Sequence, residues 1–202
     1  MIYFVRHGST DWNEYINENG QRDPRLQGRA DIPLNNKGIS QALATAETLK
    51  NIEFDRVICS PLTRTRQTCE IIYNGNKPVE YDERIIERDF GEFEGFTRSQ
   101  FDFKAYCNAF SSPKLITAES MPAVQERVYN LLDELKKKPN ENVLIVSHGG
   151  VGCIVVGYFL GVPENGDYSI YEIPNGKPMI LDFNEIKKSK NESTSECGPT
   201  ME

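Results

Sequence analysis

The stretch Asn142-Val143-Leu144-Ile145-Val146-Ser147-His148-Gly149-Gly150 holds four consecutive branched apolar residues and ends in Ser-His-Gly-Gly. A run this short, apolar at every position and bounded by glycine, predicts a β-strand over 142–147 buried on both faces, as at the centre of a parallel sheet. The chain opens on a second such run, Met1–Val5, which breaks into Arg6-His7-Gly8. These two places hold both histidines of the 202-residue chain. A cation and two imidazoles at the ends of buried strands call for a chemical explanation.

The intervening sequence alternates between strand and helix patterns. Residues 14–35 contain Gly20, Pro24, Gly28 and Pro33 among polar residues and read as a long loop, a length usually tied to function. Ile39, Ala42, Leu43, Ala46 and Leu49 recur at helical spacing over 38–51, with Asn35 or Asn36 as N-cap. Arg56–Ser60 is a short strand. Ser60 can cap the helix that follows, and Pro61 suits its first position. A short strand is expected at 78–81, an irregular segment around Gly91 and Gly95, and a helix over 97–107. An amphipathic helix over 120–138 ends in three lysines that suit its negative end. A further helix covers 149–160. Strands at 168–173 and 178–183 would flank the turn Pro174-Asn175-Gly176-Lys177 as a hairpin. This pattern predicts one α/β domain over 1–186, a three-layer α/β/α sandwich with a mostly parallel sheet and an antiparallel edge strand. The polar residues 187–202 read as a disordered tail.

Composition narrows the function. A net charge of -7 and no long basic run argue against a nucleic-acid partner. No apolar stretch approaches the roughly 20 residues of a membrane helix, and the first residues lack a basic secretory leader, so a cytoplasmic setting is expected. The five cysteines, Cys59, Cys69, Cys107, Cys153 and Cys197, include no C-x-x-C pair and read as reduced thiols. No short-spaced Cys/His cluster suggests a metal, and none is expected.

In a parallel sheet, ligands bind beyond the carboxyl ends of the strands. Arg6-His7-Gly8, Ser60 and Ser147-His148-Gly149 all lie at such ends, so distant segments can form one site. Two imidazoles and two or more arginines in an acidic protein suit a dianion. Phosphate fits best, because guanidinium donors match its oxygens in pairs. The glycines let backbone N–H groups approach, and a helix opening at Gly149 favours an anion. Neutral imidazole can attack phosphorus, arginines can neutralise oxygen charge, and a carboxyl group can give the leaving oxygen its proton. Spacing alone does not choose between Arg64 and Arg66, nor among Glu83, Glu87, Asp89, Glu92 and Glu94. Arg22, Arg25 and Arg29 can face either substrate or solvent.

The motifs "RHGSTDWN" (6–13), "LQGRADIPLNNKG" (26–38), "VICSPLTRTRQT" (57–68), "ERDFGEFEG" (87–95) and "VLIVSHGG" (143–150) occur in that order. Together they resemble the histidine phosphatase, or phosphoglycerate mutase-like, superfamily. The resemblance implies that fold and a set of roles. His7 would be the nucleophile, Arg6 and Arg64 the phosphate-binding arginines, and His148 a donor to the transferring group. Glu87 would be the proton donor that later activates water. Asn13, Gln27, Gly28 and Gly149 would complete the phosphate cradle. No cofactor is implied, and a small phosphorylated substrate and inorganic phosphate are the expected partners. A phosphomonoesterase fits best. A phosphoglycerate mutase and a catalytically silent phosphate-binding module are the alternatives, with only about 97–120 available as a lid over the pocket. Two departures, the longer 14–26 spacer and Ile86 in place of a polar residue, lie near the pocket mouth and bear on substrate choice. The sequence does not reveal the oligomeric state.

Overall fold

The two histidine-bearing strands lie side by side in the computed structural model, which describes residues 1–185 apart from 101, 103, 104, 106, 109 and 111–116. Strands β1 (Ile2–Arg6), β2 (Arg56–Cys59), β3 (Val79–Tyr81), β4 (Val143–Ser147) and β5 (Pro178–Leu181) form one sheet in the order β3-β2-β4-β1-β5. The first four are parallel, and β5 pairs antiparallel with β1 at the edge. The helices are α1 (Asn36–Leu49), α2 (Thr63–Ile72), α3 (Met121–Lys136) and α4 (Gly149–Leu160).

Strand alternation divides the interior into two cores, because successive side chains point to opposite faces. Ile2, Phe4, Ile58, Val143 and Ile145 pack with Val128, Leu131 and Leu132 of α3 and Ile154 and Val155 of α4. Tyr3, Val5, Val57, Leu144 and Val146 pack with Ala42 and Leu49 of α1 and Cys69 and Ile72 of α2. The result is three layers, as the sequence predicts. Each fully buried aliphatic side chain contributes about 1.5–3 kcal/mol. The N-cap of α1 follows the sequence, Asn35 accepting from Gly38 N at 2.9 Å, and α3 is capped by Ser120, which accepts from Ala123 N at 3.3 Å.

Two expected elements differ. Helix α2 begins at Thr63 rather than at Ser60-Pro61, because Ser60 continues the β2 ladder with its amide on the Val146 carbonyl at 3.0 Å. Asp31 takes over the capping task, accepting from Thr63 N and Thr63 Oγ1, both at 2.7 Å. The strand expected at 168–173 is a 3-10 turn over Tyr168–Tyr171, so the hairpin with β5 does not form. Tyr168 and Ile173 are buried while Ile170 is exposed, a spacing that a two-residue repeat cannot produce. Asp167 starts the turn by accepting from Ser169 N at 2.9 Å. The helix expected at 97–107 falls in good part outside the described residues; those described include a short turn, Arg98–Gln100, and a helical Ala105. Much of the expected lid and all of the tail at 187–202 lie outside the described residues.

Candidate active site

The sheet register assembles the site. Parallel pairing sets Arg6 opposite Ser147, and His7 N donates to the Ser147 carbonyl at 2.9 Å. The segment after β1 and the start of α4 are thereby adjacent. The His7 and His148 ring centres stand 5.4 Å apart, edge to face, and both rings are buried.

Two contacts fix the protons of His7. Its Nδ1 lies 2.7 Å from the Gly8 carbonyl, which can only accept, so Nδ1 carries the proton. Arg64 Nε donates to Nε2 at 3.2 Å. The Nε2 lone pair is therefore present and directed at a cation. Burial, then the charges of Arg64 and Arg6, push the imidazole well below its ordinary 6.5, against the opposing pull of the Gly8 carbonyl. The ring is neutral at neutral pH, the form a nucleophile requires.

Arg64 is fully buried, and its remaining donors go to the carbonyls of Ala30 at 2.9 Å and Gly28 at 2.7 Å. Desolvation lowers its pKa to about 10, so it still keeps its charge. Arg66 is exposed and lies over the Tyr81 ring. Position on the folded helix thus separates two arginines that helical spacing could not. Arg6 NH1 donates to the Ile173 carbonyl at 2.7 Å, and a Cβ at Gly149 would stand 3.0 Å from its guanidinium carbon. Glycine at 149 gives Arg6 the room to lie across the start of α4.

Glu87 is buried and reaches the same place from another segment. Its carboxylate accepts from Gly150 N and Arg88 N, both at 3.0 Å. Asn13 Oδ1 accepts from Thr10 N at 3.1 Å, and Gln27 Oε1 from Thr10 Oγ1 at 2.8 Å. The side chains of Asn13 and Gln27 both line the central cavity, with Arg6, His7, Glu87 and Gly149. Among the described residues, the buried side-chain nitrogens and oxygens without a partner are Arg6 Nε, Gln27 Nε2 and His148 Nδ1. All three belong to residues that the sequence assigns to one anion site.

Gly28 differs from expectation. Its N–H donates to Glu94 at 3.1 Å, so it is not offered to a phosphate. Glu94 also accepts from Arg29 N at 2.8 Å, Ala30 N at 3.4 Å and Phe90 N at 3.3 Å. That one carboxylate pins the loop whose carbonyls hold Arg64. Sequence reasoning also missed Asn175, which donates from Nδ2 to the His7 carbonyl at 2.9 Å. It likewise took Ser60 for a helix cap, whereas Ser60 Oγ lies 2.6 Å from His148 Nε2. The apolar run before Ser60 marks a strand end, the one signal that placed it near the site.

The cavity has a volume of about 650 Å³, enough for a small molecule. Among the described residues, seven cationic side chains line it against Glu14, Glu87 and Glu172. Glu14 is shared by Lys37 at 2.9 Å and Arg22 at 3.5 Å. Leu26, Phe90 and Met121 supply an apolar wall. Among the described residues, no three His, Cys, Asp or Glu side chains gather where they could hold a metal ion, and no helix is long and apolar enough to cross a membrane. Cys59, Cys69, Cys107 and Cys153 are free thiols.

Residues 2–193 match the sequence profile of the histidine phosphatase superfamily (branch 1). The chain belongs to this superfamily. It is 33% identical over 194 residues to the uncharacterized phosphatase PhoE of Bacillus subtilis, covering 91% of this chain and 93% of that one. It is 34% identical over 178 residues to the probable phosphoglycerate mutase GpmB of Cronobacter sakazakii, covering 81% and 76%. The crystal structure of the alpha-ribazole phosphatase from Shigella flexneri superposes with a TM-score of 0.71 at 26% identity, covering 88% of this chain and 87% of that one. The names of the relatives divide between phosphatase and mutase.

Proposed function

We propose that this superfamily member is a metal-independent phosphomonoesterase that works through a phosphohistidine intermediate on a small phosphorylated metabolite. The observation that carries the proposal is His7 itself: a neutral ring, proton on Nδ1, an unprotonated Nε2 held by Arg64 Nε, beside two guanidiniums and a second imidazole.

In the first step the His7 Nε2 pair forms a bond to phosphorus and the ester P–O bond breaks. Arg64 Nε, which occupies that lone pair in the free protein, turns to a phosphoryl oxygen as the pair is used. Arg6, Arg64, Gln27 Nε2, Asn13 and the Gly149 amide at the start of α4 receive the three phosphoryl oxygens. Glu87, as the acid, gives its proton to the leaving alkoxide. In the second step Glu87, now a carboxylate, takes a proton from water as the water oxygen attacks phosphorus. The P–N bond breaks, its electron pair returns to Nε2, and phosphate departs. One ester and one water become one alcohol and one phosphate.

Hydrolysis is favoured over a mutase reaction because a cavity of this volume admits water beside a small ester. The 33%-identical relative covering most of the chain also bears a phosphatase name. The cationic lining suits a substrate with negative charge beyond its phosphoryl group, and the apolar wall suits a carbon body. Hydrolysis of p-nitrophenyl phosphate in EDTA tests the assignment. Turnover in the wild type and none in His7→Ala is the expected result. A wild-type protein that binds phosphate but turns over no ester in a broad panel would mark it as a silent module. Exchange of phosphate between carbons of phosphoglycerate, dependent on bisphosphoglycerate priming, would mark it as a mutase.

A further inference from the structure

Ser60 is fully buried at the carboxyl end of β2. The pairing of Cys59 with Val146 carries it to the side of His148, where its Oγ meets Nε2 at 2.6 Å. Among the described residues this hydroxyl has no other partner, and neither has His148 Nδ1. Burial, followed by the charges of Arg64, His7 and Arg6, holds His148 well below its ordinary pKa, so the ring has a single proton to place.

Two placements are available, and they differ in how many buried groups go unmatched. With the proton on Nε2, the ring donates to Ser60. The hydroxyl hydrogen then lacks an acceptor, and Nδ1 is a bare lone pair without a donor. With the proton on Nδ1, Ser60 donates to Nε2 and both of those groups are matched. Only the Nδ1–H is left over, in a site where Arg6 Nε and Gln27 Nε2 are also donors without acceptors. Each unmatched buried polar group costs stability, so the second placement wins. It also gives the site one sign: three spare donors and no spare lone pair to repel an anion.

We propose that Ser60 is a positioning residue whose hydroxyl donates to His148 Nε2, fixes the Nδ1–H tautomer, and so makes His148 a hydrogen-bond donor to the phosphoryl oxygens. Its effect on turnover rests on the hydrolase assignment above; the tautomer does not. Ser60 forms no bond to substrate and is not a nucleophile.

The chain has only two histidines, so long-range proton–nitrogen NMR of the imidazoles resolves each ring, with His7→Ala providing the assignment. At pH above neutrality the wild type should show both rings neutral and protonated on Nδ1. In Ser60→Ala, His148 should move to the Nε2–H tautomer or to a mixture. Inorganic phosphate should bind more weakly, and kcat/KM for p-nitrophenyl phosphate should fall by about 10- to 100-fold, the loss typical when the partner that orients a functional imidazole is removed. Ser60→Thr keeps the hydroxyl and should restore the tautomer and most of the activity. A wild-type His148 with its proton on Nε2 overturns the proposal without any variant having to fold. Unchanged tautomer and unchanged kcat/KM in Ser60→Ala overturn it equally. If no ester is hydrolysed but the tautomer and phosphate binding change as described, the proposal stands and the hydrolase assignment fails.

Discussion

A single imidazole with its proton held on Nδ1 and its lone pair against a guanidinium is where the chemistry of this chain is concentrated. His7→Ala should cut kcat by about 10³-fold or more with the fold intact, checked by turnover alongside circular dichroism. Arg64→Lys keeps one charge but loses the fork that bonds His7, Gly28 and Ala30 together. It should cost about 10²- to 10³-fold in kcat/KM, the loss of a transition-state donor. The depressed imidazole pKa values also have a consequence for stability. Unfolded histidine takes up a proton near pH 6.5, while folded His7 and His148 resist it to much lower pH. The unfolded chain then binds more protons, so stability falls as pH drops below that point. Denaturant melts at about pH 7 and pH 5.5 should show a smaller acid loss for His7→Ala than for the wild type. Arg6, His7 and His148 were legible in the sequence because apolar runs point at them. Arg64 needed the superfamily resemblance to separate it from Arg66, since only tertiary burial distinguishes the two. The contact of Ser60 with His148 and the hold of Glu94 on the loop escaped because the partners lie 88 and up to 66 residues away.

Among the elements, the loop Gly28–Ala30 is held by one carboxylate and in turn holds one arginine. Glu94→Ala should leave three loop amides without their acceptor, lowering stability by about 1–3 kcal/mol and lowering kcat/KM through a displaced Arg64. Measuring both quantities separates the positioning effect from simple unfolding: a variant that melts earlier but retains full kcat/KM would show that Arg64 holds its place without the loop. Glycine at 28 belongs to the same construction, because a Cβ there would run into the Arg88 carbonyl and the Glu94 carboxylate. The strands β1 and β4 and the helices α1 and α3 were readable from local pattern, since continuous apolar runs, helical spacing, an Asn cap and terminal lysines are local signals. The start of α2 was not, because Asp31 caps it from a separate segment. Nor was the turn at Tyr168–Tyr171, where burial against α4 overrides a strand-like composition.

At the scale of the whole molecule, a chain of net charge -7 surrounds a cavity that, among the described residues, is lined by more than twice as many cations as anions. The local field attracts a phosphorylated substrate that the overall charge would repel. Raising ionic strength should therefore raise KM more than it lowers kcat, as screening weakens attraction at the mouth but not contacts inside. Equal effects on both parameters would place the cations outside substrate recognition. The central claim is that His7 carries the phosphoryl group between ester and water. Its most direct test is to mix enzyme with excess substrate, quench within milliseconds under alkaline denaturing conditions that preserve phosphohistidine, and map the modified peptide by mass spectrometry. One phosphoryl group on His7, absent from His7→Ala, is the predicted result; a phosphoryl group on another residue, or undiminished turnover in His7→Ala, would contradict it.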